Sequence, residues 1–154
     1  MKRTGAFFPS NVIALLIGLI GIIRQILSAP ALEINLPAGF PTATGFAVIW
    51  TFLFILWALA TYFVYSAPFS PRRKRNIFLN SLMLIVGIFV WCYMVFSAVN
   101  ISGALAVSIA ILLLALVLWA MYLVSHRYGG YLFTPVVVWM FYLLYLSISL
   151  VVRN

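Results

Sequence analysis

The sequence predicts an all-α integral membrane protein, a bundle of five transmembrane helices, and three observations carry that prediction. Five apolar stretches, Pro9–Leu27, Phe46–Tyr65, Ile77–Val99, Ile101–Val124 and Leu132–Val152, take up most of the 154 residues. Each supplies about 20 helical residues, enough to cross a hydrocarbon layer of about 30 Å. Hydrophobic residues make up 67% of the chain and charged ones 6%, far from the mix that a soluble domain needs for its surface. Almost every charge falls between the stretches. Barrel strands would alternate apolar and polar residues over about 10 positions, and these runs do not. The chain reads as a single domain over residues 1–154, with no linker and no internal repeat.

Span one is the weakest, with an apolar core of only Val12–Ile23 before Arg24. Arg24 can snorkel from the helix end to the headgroups. Basic residues before an apolar core also fit a signal peptide, but the nearest cleavage pattern, Ser28-Ala29-Pro30, is discouraged by its proline, so the segment is read as a span. The first loop, Ser28–Thr44, carries Pro30, Pro37, Gly39 and Pro41. That much proline makes it semi-rigid, and it is expected to act as a lid over the helix ends.

In span two, Trp50, Phe54, Trp57, Ala58 and Thr61 fall on one side. The second loop holds Pro68 and Pro71 and then Arg72, Arg73, Lys74 and Arg75, read as a topology anchor at anionic headgroups. Cys92 in span three has no partner thiol and reads as a small apolar filler. Asn100–Gly103 is so short that spans three and four must form a tight antiparallel hairpin. Gly103, Ala104, Ala106, Ser108 and Ala110 at the start of span four let a neighbouring helix approach, read as internal packing. His126–Gly130 connects to span five, where Pro135, Trp139 and Tyr142 share a side.

The net charge of +8 does not indicate nucleic-acid binding, because the basic residues have no aromatic interleaving and no folded module to sit on. Their placement sets orientation instead. Lys2, Arg3, Arg72, Arg73, Lys74, Arg75 and Arg127 fall on one side of a five-span chain, and Arg24 and Arg153 on the other, seven against two. Basic loops stay in the cytoplasm, which predicts a cytoplasmic N-terminus and a C-terminus outside.

Catalytic chemistry is scarce. Glu33 is the only carboxylate side chain and His126 the only imidazole, so neither a carboxylate pair, nor a metal cluster, nor a Ser-His-Asp triad can be assembled in one chain. His126 reads as a headgroup-level residue, and Glu33 as a loop charge able to meet Arg24. The absence of ionisable groups at mid-membrane depth and the odd span count weigh against an ion-coupled pump or an inverted-repeat transporter. What remains is aromatic surface: 13 Phe, 8 Tyr and 5 Trp. Packing and interfacial anchoring account for many of these. Trp50 and Trp139, however, are placed several residues inside their spans at the outer end, beneath the proline-rich loop. Flat aromatic walls there suit a large, flat, apolar ligand held by burial and stacking.

Several phrases resemble the TspO/MBR family, the tryptophan-rich sensory proteins and translocator proteins. Gly45-Phe46-Ala47-Val48-Ile49-Trp50-Thr51-Phe52-Leu53-Phe54 is similar to the family's start of span two. Trp91 to Leu105, with Phe96, Asn100 and Gly103, is similar to its third span and the short turn after it. Pro135-Val136-Val137-Val138-Trp139 fits its fifth-span Pro-x-x-x-Trp pattern, and Gly39 and Pro41 sit where its first loop carries Trp-x-Pro-Pro. The chain departs from the pattern in lacking the loop tryptophan. Ile88 stands where the family has an asparagine, and Leu143 where a small residue is expected, which would narrow a pocket.

The resemblance implies a homodimeric five-helix bundle with a cavity under loop one that binds porphyrin, as protoporphyrin IX or heme, or another apolar ligand. Trp50, Phe54, Trp139, Tyr142 and Leu143 would line it, with Pro41 and nearby loop residues as the lid, and no cofactor is required. The leading expectation is a membrane receptor or carrier for such a ligand. The alternatives are light- and oxygen-dependent porphyrin breakdown at Trp50 and Trp139, which would make the chain an enzyme, and an assembly subunit that binds no ligand. A sterol-type pattern, Leu118 to Arg127 around Tyr122, is weak and ends span four.

Overall fold

The computed structural model describes residues 7–28, 37 and 39–154. Expectations placed on Lys2, Arg3, Pro30 and Glu33, including the Glu33–Arg24 contact, lie outside the described residues. The described chain forms five helices, α1 (Phe7–Leu27), α2 (Ala43–Ser66), α3 (Pro71–Phe96), α4 (Ile101–Ser125) and α5 (Arg127–Arg153). All five are long and apolar enough to cross a membrane, and no strand occurs among the described residues. The chain is a multi-pass integral membrane protein.

Local chemistry sets the helix ends. Thr42 caps α2 by accepting from the Gly45 amide at 3.1 Å, and Asn100 caps α4 by accepting from the Gly103 amide at 2.9 Å. Each satisfies a donor that the first helical turn leaves free. Ser70 does the same for α3 from the Arg73 amide at 3.4 Å, with Pro71 in the first turn, where its missing N–H is harmless. One residue, His126, separates α4 from α5.

The early start of α3 changes the reading of the basic cluster. Arg72–Arg75 lies in the first turns of a helix rather than in a loop, and it is not a uniform headgroup anchor. Lys74 is buried, and its Nζ donates to the Tyr65 carbonyl at 3.0 Å in the last turn of α2. A cation there satisfies a free carbonyl and complements the negative end of the helix dipole. In return the Tyr65 hydroxyl donates to the Lys74 carbonyl at 3.1 Å. Asn11 of α1 joins by donating to the Tyr65 hydroxyl at 3.5 Å, and Ser81 of α3 donates to Asn11 at 3.0 Å. This buried polar staple ties three helices together at the end of the bundle away from loop one.

The helices pack as a closed ring in the order α1, α2, α5, α4, α3 and back to α1. Side chains fill its centre: Phe46, Trp57, Trp91, Tyr122 and Phe133 are all fully buried. On α2, Phe46, Trp50, Leu53, Trp57, Thr61 and Val64 face inward, while Val48, Phe52, Ile55, Leu59 and Tyr62 face outward at the same helical spacing. Both faces are therefore apolar, the outer one because lipid is its solvent.

Candidate functional site

The candidate site is an aromatic shell in the half of the bundle near loop one. The spacing of α2 stacks Phe46, Trp50, Phe54 and Trp57 along its inward face. Trp139 of α5 meets this row, its ring centroid 5.8 Å from Phe46 and 6.2 Å from Trp50, both edge to face. Phe54 lies 5.9 Å from Trp50 and 5.5 Å from Trp57. Trp91 and Phe96 of α3 close the far side against Phe46, at 6.3 and 5.6 Å. Such offset and edge contacts suit the quadrupoles of the rings and add to their burial.

Loop one reaches this shell through Gly39 and Phe40. The Phe40 ring packs 5.3 Å from Phe46 and 6.3 Å from Phe96. The Tyr142 hydroxyl donates to the Gly39 carbonyl at 2.6 Å, and the Tyr142 ring lies 5.0 Å from Trp139. Phe40, Phe46 and Phe96 thus pack against one another beneath the described end of the loop. An apolar cleft of about 720 Å³ runs between α2 and α5, lined by Leu53, Tyr131, Thr134, Pro135, Val138, Trp139 and Tyr142.

The indole N–H groups divide the five tryptophans into two classes. Trp57 donates to the Tyr122 hydroxyl at 3.3 Å, Trp91 to the Ser147 hydroxyl at 2.9 Å, and Trp119 to the Thr134 hydroxyl at 3.1 Å. The Nε1 atoms of Trp50 and Trp139 are buried and find no hydrogen-bond partner among the described residues. A buried donor left unsatisfied costs about 1–3 kcal/mol, and the two sit on rings in direct contact. Two adjacent donors of this kind can serve an acceptor presented by a ligand.

The arrangement supplies no acid, base or metal chemistry among the described residues. No group of His, Cys, Asp or Glu there could hold a metal ion. His126 lies at the opposite end, stacked on Phe63 at 5.4 Å, 13 residues and about 20 Å of helix from Trp139.

A model of the TspO/MBR family matches residues 11–153, nearly the whole chain. The chain belongs to the TspO/MBR family. No curated protein matches it.

Within this TspO/MBR chain, the residues expected at the site separate into groups. Trp50, Phe54 and Trp139 share the shell, and Leu143 is fully buried on α5. Trp139 stands midway along α5. Tyr142 joins the shell by its ring but spends its hydroxyl on loop one. Pro41 is half-buried just before α2, and its loop neighbours Gly39 and Phe40 make the contacts to Tyr142 and to Phe46 and Phe96. Ile88, at the family's asparagine position, is fully buried like Leu143, so these two departures from the TspO/MBR pattern put hydrocarbon into the core. The sterol-type pattern does not survive. Tyr122, its central residue, is buried 2.9 Å from the Thr61 hydroxyl instead of facing lipid. Sequence reasoning missed Phe40, Phe46, Trp91 and Phe96 as shell members. The i, i+4 spacing of Phe46 with Trp50 was the available signal for one of them.

Proposed function

We propose that this TspO/MBR protein is a membrane receptor or carrier for a flat apolar ligand of the porphyrin class, held in the aromatic shell between α2, α3 and α5. The observation that carries the reading is the pair of unpartnered indole donors, Trp50 and Trp139, in contact with one another in a site without charged side chains among the described residues. A porphyrin brings ring nitrogens and carboxylate oxygens as acceptors and a large apolar face to bury. Phe40 of loop one and Phe46 of α2 must shift to admit it, and the movement of Phe40 gives loop one the role of lid. The orientation proposed is the one that places Arg72, Arg73, Arg75 and Arg127 in the cytoplasm, and the proposed assembly is a homodimer.

The test is a protoporphyrin IX titration of the detergent-purified protein beside the Trp50→Leu/Trp139→Leu double variant. Tryptophan quenching and the porphyrin absorption band report occupancy. Saturable binding lost in the variant supports the reading. Equal binding by both proteins means partition into the micelle and overturns it.

A further inference from the structure

Tyr142 sits where three features meet. Its hydroxyl makes a short 2.6 Å hydrogen bond to the Gly39 carbonyl, joining α5 to loop one across 103 residues of chain. Its ring lies 5.0 Å from Trp139, tilted by 35°. It also borders the 720 Å³ cleft between α2 and α5.

The partner end of this bond is built for one position. Gly39 has φ +86°, a backbone state that glycine adopts freely and other residues do not. Next along the chain, the Phe40 amide donates to the Pro37 carbonyl at 3.0 Å, closing a turn. That turn sets the Phe40 ring against Phe46 and Phe96. The residue held by Tyr142 is thus the neighbour of the residue that covers the shell. If the hydroxyl lets go, the ring has the adjoining cleft to swing into.

We propose that Tyr142 is the latch of loop one: its hydroxyl holds Gly39 and Phe40 closed over the aromatic shell, and its release is the step that opens the shell to ligand. This rests on the ligand reading of the shell, but the latch is also testable without a ligand. Tyr142 here is a positioning residue. It acts through Gly39 and not through contact between its hydroxyl and the ligand.

Tyr142→Phe removes one oxygen and keeps the ring on Trp139. Losing one hydrogen bond from the closed state corresponds to roughly threefold to tenfold in the opening equilibrium. Amide hydrogen exchange at Phe40 is expected to accelerate by that factor in the ligand-free variant. Stopped-flow mixing with protoporphyrin IX should show association and dissociation rates rising together, leaving Kd within about threefold because the latch closes both free and bound states. Gly39→Ala, which disfavours the held backbone, should move the same quantities the same way. Tyr145→Phe, one turn on, should move none.

Unchanged exchange and rates in Tyr142→Phe overturn the latch. A faster dissociation alone, with Kd weakened to match, makes Tyr142 an ordinary ligand contact and also overturns it. If protoporphyrin fails to bind the native protein while exchange still accelerates, the latch stands and the porphyrin reading falls.

Discussion

The indole rings of Trp50 and Trp139 meet edge to face, 6.2 Å between centroids and 87° between planes, and neither N–H finds an acceptor among the described residues. The other three tryptophans all donate, to Tyr122, Ser147 and Thr134. A chain able to satisfy three indoles leaves two adjacent ones unsatisfied. Groups that folding leaves unpaired are the ones a ligand can pair.

Stability and binding should therefore respond oppositely at different tryptophans. Trp91→Phe breaks a bond to Ser147, whereas Trp50→Phe removes a donor that is already unpaired. In detergent-induced unfolding, Trp91→Phe is expected to cost about 1–3 kcal/mol more than Trp50→Phe. Protoporphyrin affinity should fall in the Trp50 variant and hold in the Trp91 variant. Equal stability losses would remove the distinction between the two classes.

The staple of Asn11, Tyr65, Lys74 and Ser81 should behave as one unit. Asn11→Leu leaves the Ser81 hydroxyl without its acceptor in a buried setting, an expected loss of about 1–3 kcal/mol. Ser81→Ala added to Asn11→Leu should cost little more, since the group left stranded is gone. A double-mutant cycle measures this non-additivity, and additive losses would show the contact to be energetically idle.

Val99, in the turn between α3 and α4, has φ +49°, a left-handed backbone that crowds a β-branched side chain. Val99→Gly is expected to stabilise the protein by up to about 1 kcal/mol, part of the relief being offset by the greater freedom of glycine when unfolded. Thermal denaturation in a fixed detergent would show the shift. A lower midpoint would mean that the valine side chain contributes packing that outweighs its strain.

Gly130 permits the tight approach of α5 to α4. A Cβ there would lie 2.9 Å from the Leu123 Cα and closer still to the Leu123 side chain. The Gly130 carbonyl, 3.2 Å from the Trp119 indole nitrogen, accepts from it. Gly130→Ala is expected to cost about 1–3 kcal/mol through overpacking, read by the same unfolding assay and by a change in Trp119 fluorescence.

Much of the architecture was legible because membranes impose a length. Span two was expected over Phe46–Tyr65 and the helix runs Ala43–Ser66. The turn at Asn100 was legible because few residues separate two long apolar runs. The start of α3 was misjudged because four consecutive basic residues look like a loop. Ser70 and Pro71 are the cap signal that outweighs them. Of the residues expected to line a site, Trp50 contacts the rings of both Phe54 and Trp139. The packing of Phe40 against Phe46 and Phe96 was not legible, because it joins loop one to two helices distant in sequence.

The sequence by itself determined five spans, their approximate limits and the scarcity of catalytic groups, since hydropathy, span length and residue inventory need no fold to be read. Tertiary structure alone decided which side of each helix faces inward. In α4, Leu112 is buried and its neighbour Leu113 exposed, a choice that hydrophobicity cannot make when lipid surrounds the bundle. Lipid tails are as apolar as the core, so only close packing and hydrogen bonding between helices distinguish the two. The same physics turns Lys74 inward onto the end of α2, pairs three indoles and leaves Trp50 and Trp139 without acceptors.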